Sequence, residues 1–451
     1  MIHISTSFAL LVVAIIILVC IAGSRLSGRL GVPTLFIFIM LGMLFGSDGI
    51  FKIPFGNFAL AEQVCSVALI FIMFYGGFGT RWSEAKPVAG RSILLSSAGV
   101  VLTAFLTGLF CHLVLKMALM EGMLLGAVLG STDAASVFSI LRSRKLNLKY
   151  GTASMLELES GSNDPFAYMM TVILLSAMTG SVSGGSAVLL LIRQLAFGLL
   201  TGAAVAWLVT WLLKRYAFYG EGFDTIFVFA AAIISYALAS QIGGNGYLSV
   251  YLTGIILGNQ ELKNQKALVG FFDAFTGMMQ MLLFFLLGLL AFPSQMPSIV
   301  LPAIAIALFL TFVARPAAVG LLLAPSKPPI GQYLVISWAG LRGAASIVFA
   351  IMATLSEGYM KYDIFHIVFC VVLFSIIFQG SLLPKVAEKC DMIDNSTDVM
   401  RTFSDYTGDM QIQFVQLPIG DNHPWKNRKI CEIEMLPGML ITVIRRGGVI
   451  R

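Results

Sequence analysis

Apolar runs long enough to cross a bilayer recur along most of this chain, with short charged stretches between them. The first, residues 6–23, holds no charged residue, and Arg25 and Arg29 follow it directly. A membrane-spanning helix needs about 20 apolar residues. Only helices or closed barrels satisfy every backbone group in lipid. Runs of this length therefore predict an all-α polytopic membrane protein. Thirteen spans are expected, at 6–23, 32–47, 60–78, 90–115, 120–140, 152–178, 186–213, 223–242, 246–259, 268–292, 298–323, 331–355 and 363–387. The ninth is short enough to be a half-span. Charged residues make up 12% of the 451 residues, about half the share usual in a soluble domain, about 25%.

The loops set the orientation. Odd-numbered loops carry Arg25 and Arg29, Arg81 and Lys86, Arg142 to Lys149, Lys214 and Arg215, Lys263 and Lys266, then Lys327, with Lys385 and Lys389 after the last span. Even-numbered loops carry only Lys52, Lys116 and Lys361. By the positive-inside rule the N-terminus lies outside and the C-terminus in the cytoplasm. The net charge of +6 follows from this bias and implies no nucleic-acid partner. The first span lacks a basic leader, so it reads as a retained helix and not a signal peptide. Six cysteines (20, 65, 111, 370, 390, 431) show no paired or metal-ligating spacing.

Charge inside a span marks function by default. In Glu157-Leu-Glu-Ser-Gly-Ser-Asn-Asp-Pro165, Ser160 and Asp164 share a helix face, while Pro165 removes a backbone donor. Asn163 adds an amide. A carboxylate, an amide and hydroxyls on a loosened backbone are ligands for a dehydrated monovalent cation. The same carboxylate can take a proton instead. Asp133 lies mid-span beside Thr132, as ion ligand or as the neutraliser of an exposed helix end. Arg342 is alone mid-span and needs a partner among Glu159, Asp164 and Asp133. Pairing with Glu159 would leave Asp164 to exchange its ion. Glu157 is an interfacial or entrance charge. Arg193, Arg315 and Asp273 are placed nearer span ends, as snorkelling or interfacial groups.

Gly130-Ser-Thr-Asp-Ala-Ala-Ser-Val-Phe138 and Gly340-Leu-Arg-Gly-Ala-Ala-Ser-Ile-Val-Phe349 occupy late positions in the two halves. With span seven as connector, spans 1–6 and 8–13 form an inverted repeat. No Thr-Val-Gly-Tyr-Gly-like potassium filter, phosphate loop or hydrolase motif occurs. These gaps disfavour a potassium channel, an ATP-driven pump and a membrane enzyme. An ion-coupled solute symporter or another cation channel on a similar repeat stays open.

Residues 159–165, 130–137 and 339–344 together resemble the cation:proton antiporter-1 family of NhaP type, over essentially residues 1–388. The resemblance implies an antiporter domain over 1–388, with a six-helix core at about 90–178 and 298–387. Scaffold and dimerisation spans would be 6–78 and 186–292. Asp164 would be the carrier, with Thr132, Ser160, Asn163 and Asp133 contributing to the site. Glu159 and Arg342 would form the structural ion pair. It also implies a homodimer in a bacterial inner membrane, exchanging potassium or sodium for protons with no cofactor. Asn163 replaces the second Asp of electrogenic relatives, implying electroneutral one-for-one exchange. Residues 389–451 form a more polar cytoplasmic tail with strands expected at 411–416 and 440–444. Residues 425–451 resemble the beginning of a TrkA-C regulatory domain, which implies potassium as substrate and a nucleotide-type regulator. The closing residues read as a hairpin cut before its second strand, and the chain as a fragment.

Overall fold

The structure, a computed structural model, describes residues 6–30, 33–143, 146–181, 184–215, 222–262, 264–358, 360–394, 425, 445–446 and 449–450. The chain divides into two units, Met1–Thr407 and Gly408–Arg451. In the second unit the described residues include an antiparallel pair, β1 (Arg445–Arg446) and β2 (Val449–Ile450), with Arg445 opposite Ile450. The hairpin expected to be cut thus has two short paired strands. The strands expected at 411–416 and 440–444 lie outside the described residues, as does nearly all of the stretch resembling TrkA-C.

The first unit is helical. Its first third holds α1 (Thr6–Leu30), α2 (Thr34–Phe45), α3 (Phe58–Gly79) and α4 (Trp82–Ala85), then α5 (Ala89–Leu94) and α6 (Val100–Leu113). The middle holds α7 (Leu119–Val128), α8 (Ala134–Ser143), α9 (Thr152–Met178), α10 (Gly184–Arg215), α11 (Phe223–Gln241), α12 (Gly246–Gly258) and α13 (Gln265–Leu290). The last part holds α14 (Val300–Phe309), α15 (Arg315–Leu323), α16 (Ile330–Trp338), α17 (Ala344–Thr354), α18 (Ile364–Phe374) and α19 (Ser381–Lys389). Among the described residues eight helices are long and apolar enough to cross a membrane by length and composition. Four shorter apolar helices, α2, α7, α12 and α17, accompany them.

Two predicted spans break in the middle. Residues 129–133 interrupt α7 and α8, and 339–343 interrupt α16 and α17. Three others keep their course through a π-helical turn, at Leu95–Gly99, Leu310–Ala314 and Ser375–Gly380. Such turns are rare and tend to sit at functional sites. They leave no trace in hydropathy, which is why the sequence reading missed them. Phenylalanines fill the packing of α3 against α13 and α11, with Phe71 stacked on Phe229 at 4.5 Å and Phe74 tilted on Phe272 at 4.9 Å.

Contacts between connections sort into two sets. Ser294 donates to Asp48 through its backbone N–H (3.1 Å) and its hydroxyl (2.5 Å), and the Lys361 N–H donates to Glu121. These join even-numbered loops. The Trp82 N–H donates to Asn259 (2.8 Å), Lys214 to Gln260 (2.9 Å) and Lys149 to Asp391 (2.9 Å), joining odd-numbered loops and the stretch after α19. Between α13 and α14, the Phe292 N–H donates to His366 Nε2 at 3.1 Å, while His366 Nδ1 meets Asp363 at 2.6 Å. A cavity of about 410 Å³ opens there, lined by Gln295, Tyr362, Asp363 and His366 among others.

Candidate ion site at the crossing of two broken helices

The two interruptions cross and bind each other. The Asp133 N–H donates to the Leu341 carbonyl at 2.8 Å. Arg342 Nη1 donates to the Ser131 carbonyl at 2.9 Å. Backbone groups freed by unwinding thus find partners in the opposite break, as buried groups must. The approach is close: a Cβ at Gly343 would lie 2.6 Å from Asp133 Oδ2, so the side chain is missing where the carboxylate needs the room. From the far side Ser375, in the π-turn, accepts the Arg342 backbone N–H at 3.1 Å and donates to Gln379 at 2.5 Å.

α9 runs past this crossing, and Pro165 lies inside it without ending it. Asp164 is 6% exposed and accepts a hydrogen bond from the Ser131 hydroxyl. Asn163 clasps Thr132 twice: its amide donates to the Thr132 hydroxyl at 2.5 Å and its carbonyl accepts the Thr132 N–H at 3.2 Å. The Ser160 hydroxyl donates to the Thr132 carbonyl at 2.5 Å. The structure therefore brings Asp164, Asn163, Ser160 and Thr132 together, and adds Ser131. Asp133 lies at the crossing, where its carboxylate accepts from Ser136 N–H (3.3 Å) and hydroxyl (2.5 Å). That is an N-cap of α8, the helix-end role. Glu157 is half-buried one turn before Ser160.

The ion pair differs from expectation. Glu159, 1% exposed, meets Arg315 Nη2 at 2.5 Å, and Arg315 is itself 4% exposed. Arg342 (3% exposed) is within electrostatic reach of both, but its guanidinium reaches the Ser131 carbonyl. Arg315 is thus no interfacial group. It opens α15 directly after a π-turn, eight residues from the span's end, or about 12 Å at helical rise. That depth was the signal for it in the sequence. Gly340 makes room, since a Cβ there would lie 3.0 Å from Arg315 Nε. Sequence reasoning also missed Asn245. Asn245 caps α12 through the Leu248 N–H (3.0 Å) and donates to the Pro165 carbonyl at 2.9 Å. It ties α12 to α9 one residue beyond Asp164. Among the described residues no basic side chain lies within 4.0 Å of Asp164, and no group of three His, Cys, Asp or Glu could hold a metal ion.

The transmembrane sodium/hydrogen exchanger family matches residues 14–389. The chain belongs to that family. Relatives of this family member include the K(+)/H(+) antiporter NhaP of Alkalimonas amylolytica, 36% identical over 382 residues, 84% of this chain and 66% of that protein. The K(+)/H(+) antiporter NhaP2 of Shewanella oneidensis is 36% identical over 383 residues, with the same two shares. The chain thus spans less than two thirds of the length of these relatives. Among solved structures, the sodium proton antiporter MjNhaP1 of Methanocaldococcus jannaschii at pH 8 has a TM-score of 0.74 at 23% identity, covering 85% of this chain and 99% of that one. That likeness shows a shared fold. Family and fold make this a multi-pass membrane protein.

Proposed function

We propose that this exchanger-family member swaps a monovalent cation for a proton across the membrane, with Asp164 as the carrier. The observation that carries the reading is the setting of Asp164: a buried mid-helix carboxylate among hydroxyl and amide groups, with no cationic side chain of the described residues within 4.0 Å. Both neighbouring arginines are engaged, Arg315 with Glu159 and Arg342 with the Ser131 carbonyl. Such a carboxylate is stable only when something neutralises it. A proton and a dehydrated cation do so equally in charge, so they compete for one place.

Counting formal charge supports a one-for-one exchange. Around the crossing stand three carboxylates, Asp133, Glu159 and Asp164, and two arginines, Arg315 and Arg342. One proton or one monovalent cation on Asp164 makes the group neutral. The empty group keeps one negative charge, which is costly to carry through a low-dielectric barrier. Potassium is the favoured cargo, because both 36% identical relatives named above are K(+)/H(+) antiporters. Thirteen crossings with the N-terminus outside agree with the loops, whose cross-contacts join even with even and odd with odd. The division into a core of spans 4–6 and 11–13 and a scaffold follows the two crossing breaks. A homodimer and a regulated tail complete the reading.

The test uses proteoliposomes loaded with a pH dye under an inside-acid gradient. Potassium and sodium are added in turn, with the membrane potential free or clamped. Wild-type protein should alkalinise the lumen independently of voltage, and Asp164→Asn, folded as judged by its elution profile, should lose at least about 100-fold in rate, since it removes the group that carries the ion. An active Asp164→Asn variant would overturn the assignment of the carrier.

A further inference from the structure

A second carboxylate stands inside a span on the even-loop face, away from Asp164. Glu62 lies on the second turn of α3, half-buried, about 6 Å below the helix start at helical rise. The Ser66 hydroxyl donates to its Oε1 at 2.8 Å. Among the described residues no Lys, Arg or His comes within 4.0 Å of it. What surrounds it instead is a set of tyrosines. The Tyr247 hydroxyl lies near those of Ser66 and Tyr236, and Tyr236 and Tyr168 are both within electrostatic reach of Glu62. The rings pack on each other, Tyr168 on Tyr247 edge-on at 5.1 Å and Tyr236 on Tyr247 at 5.0 Å.

This cluster touches the ion site through α9. Tyr168 follows Asp164 by four residues, so the two share one helix face about 6 Å apart along the axis. α12 supplies the partner on each side of Asp164. Tyr247 lies against Tyr168 beyond it. Tyr251, one turn further along α12, lies against Gly161 before it; a Cβ on Gly161 would stand 2.5 Å from the Tyr251 hydroxyl. Two tyrosines thus bracket the carrier along its own helix. The even-loop bracket leads through Tyr247 and Ser66 to Glu62.

We propose that Glu62, with the hydroxyls of Ser66, Tyr236 and Tyr247, forms a loading site for a monovalent cation on the outer face, and that Tyr247 divides it from Asp164. This rests on the exchange reading above. The chemistry is that of partial dehydration. A carboxylate supplies charge, hydroxyls replace water, and ring faces attract a weakly hydrated cation. A cation held here is one packed ring away from the carrier, and its local concentration at the outer mouth is raised. The site serves one side of the membrane only, since it lies on the even-loop side of the carrier, with Tyr251 packed against Gly161 on the other.

Sidedness is what the experiment reads. Right-side-out and everted membrane vesicles carrying the full chain are loaded with a pH dye, and KCl is titrated onto the exposed face. For Glu62→Gln the half-saturating KCl on the outer face should rise roughly fivefold, the effect of one unit charge at this range in a partly screened site. Maximal rate and half-saturation on the cytoplasmic face should stay as in wild type. Glu62→Asp should recover most of the outer affinity. Tyr247→Phe should share the one-sided defect, because it removes one of the hydroxyls offered to the cation. An unchanged outer half-saturation in Glu62→Gln, or an equal rise on both faces, overturns the loading site while leaving exchange at Asp164 standing. A wild type that exchanges no cation on either face overturns the exchange reading, and the loading site with it.

Discussion

Two arginines stand near Glu159, and the choice between them is decided by a few ångströms. Arg342 belongs to a broken segment whose neighbouring carbonyl, Ser131, is within 2.9 Å of its guanidinium. Arg315 starts a helix behind that segment and reaches Glu159 at 2.5 Å through the gap left by Gly340. Breaking a buried pair strands a charge in a place that cannot solvate it, which typically costs roughly 3–5 kcal/mol. A double-mutant cycle on detergent-solubilised protein should therefore show a coupling of roughly 2–3 kcal/mol between Glu159→Gln and Arg315→Met, read from unfolding midpoints. Glu159→Gln with Arg342→Met should couple by less than about 1 kcal/mol. Equal couplings would mean that the two arginines share the carboxylate.

At the scale of elements, the connection from α13 to α14 is held near its start at two points, by Asp48 to Ser294 and by His366 to Phe292. The His366 ring accepts the Phe292 N–H at Nε2, which assigns its proton to Nδ1, facing Asp363. Burial pushes the Asp363 carboxyl up, but the side-chain and backbone hydrogen bonds from His366 outweigh that and hold it below its ordinary range. A folded-state value below the unfolded one stabilises the fold above the unfolded pKa, near 4 for Asp. That contribution is lost as pH falls through the lower folded value. Asp363→Asn should therefore melt below wild type at pH 6, with the two melting curves converging below about pH 4. A constant gap down to pH 3 would assign the contact no titrating share. The recurrence of long apolar helices, and the charged or polar positions Thr132, Asp133, Ser160, Asn163 and Asp164 inside them, were legible in the sequence, because hydropathy and charge depth are properties of a single segment. The Arg315 pair, the Ser375 and Gln379 brace and the Asn245 tie were not, since each depends on which distant backbone lies alongside. The π-turns were illegible for a different reason: one extra residue per turn changes no composition.

For the molecule as a whole, the proposed crossings, which reverse side each time, account for both the alternation of basic loops and the sorting of loop contacts. Proposed orientation can be read by thiol labelling from outside intact cells. Cysteine at Gln295, exposed beside the 410 Å³ cavity, should react with an impermeant maleimide. Cysteine at Lys327, exposed between α15 and α16, should react only after permeabilisation. The reverse pattern would invert the topology. Native background is small among the described cysteines: Cys20, Cys65 and Cys111 are buried, and Cys370 and Cys390 partly so. The crossing of the two breaks has a further consequence for the whole. Each break satisfies the other's backbone, so neither can rewind alone, and Asn163 pins Thr132 from the side. The receptacle around Asp164 is therefore stiff. A stiff receptacle cannot contract onto a smaller ion or swell around a larger one. Under the proposed exchange at Asp164, it would sort alkali ions by radius, and a single methyl group gained or lost at Thr132 or Ser160 would change which radius it prefers.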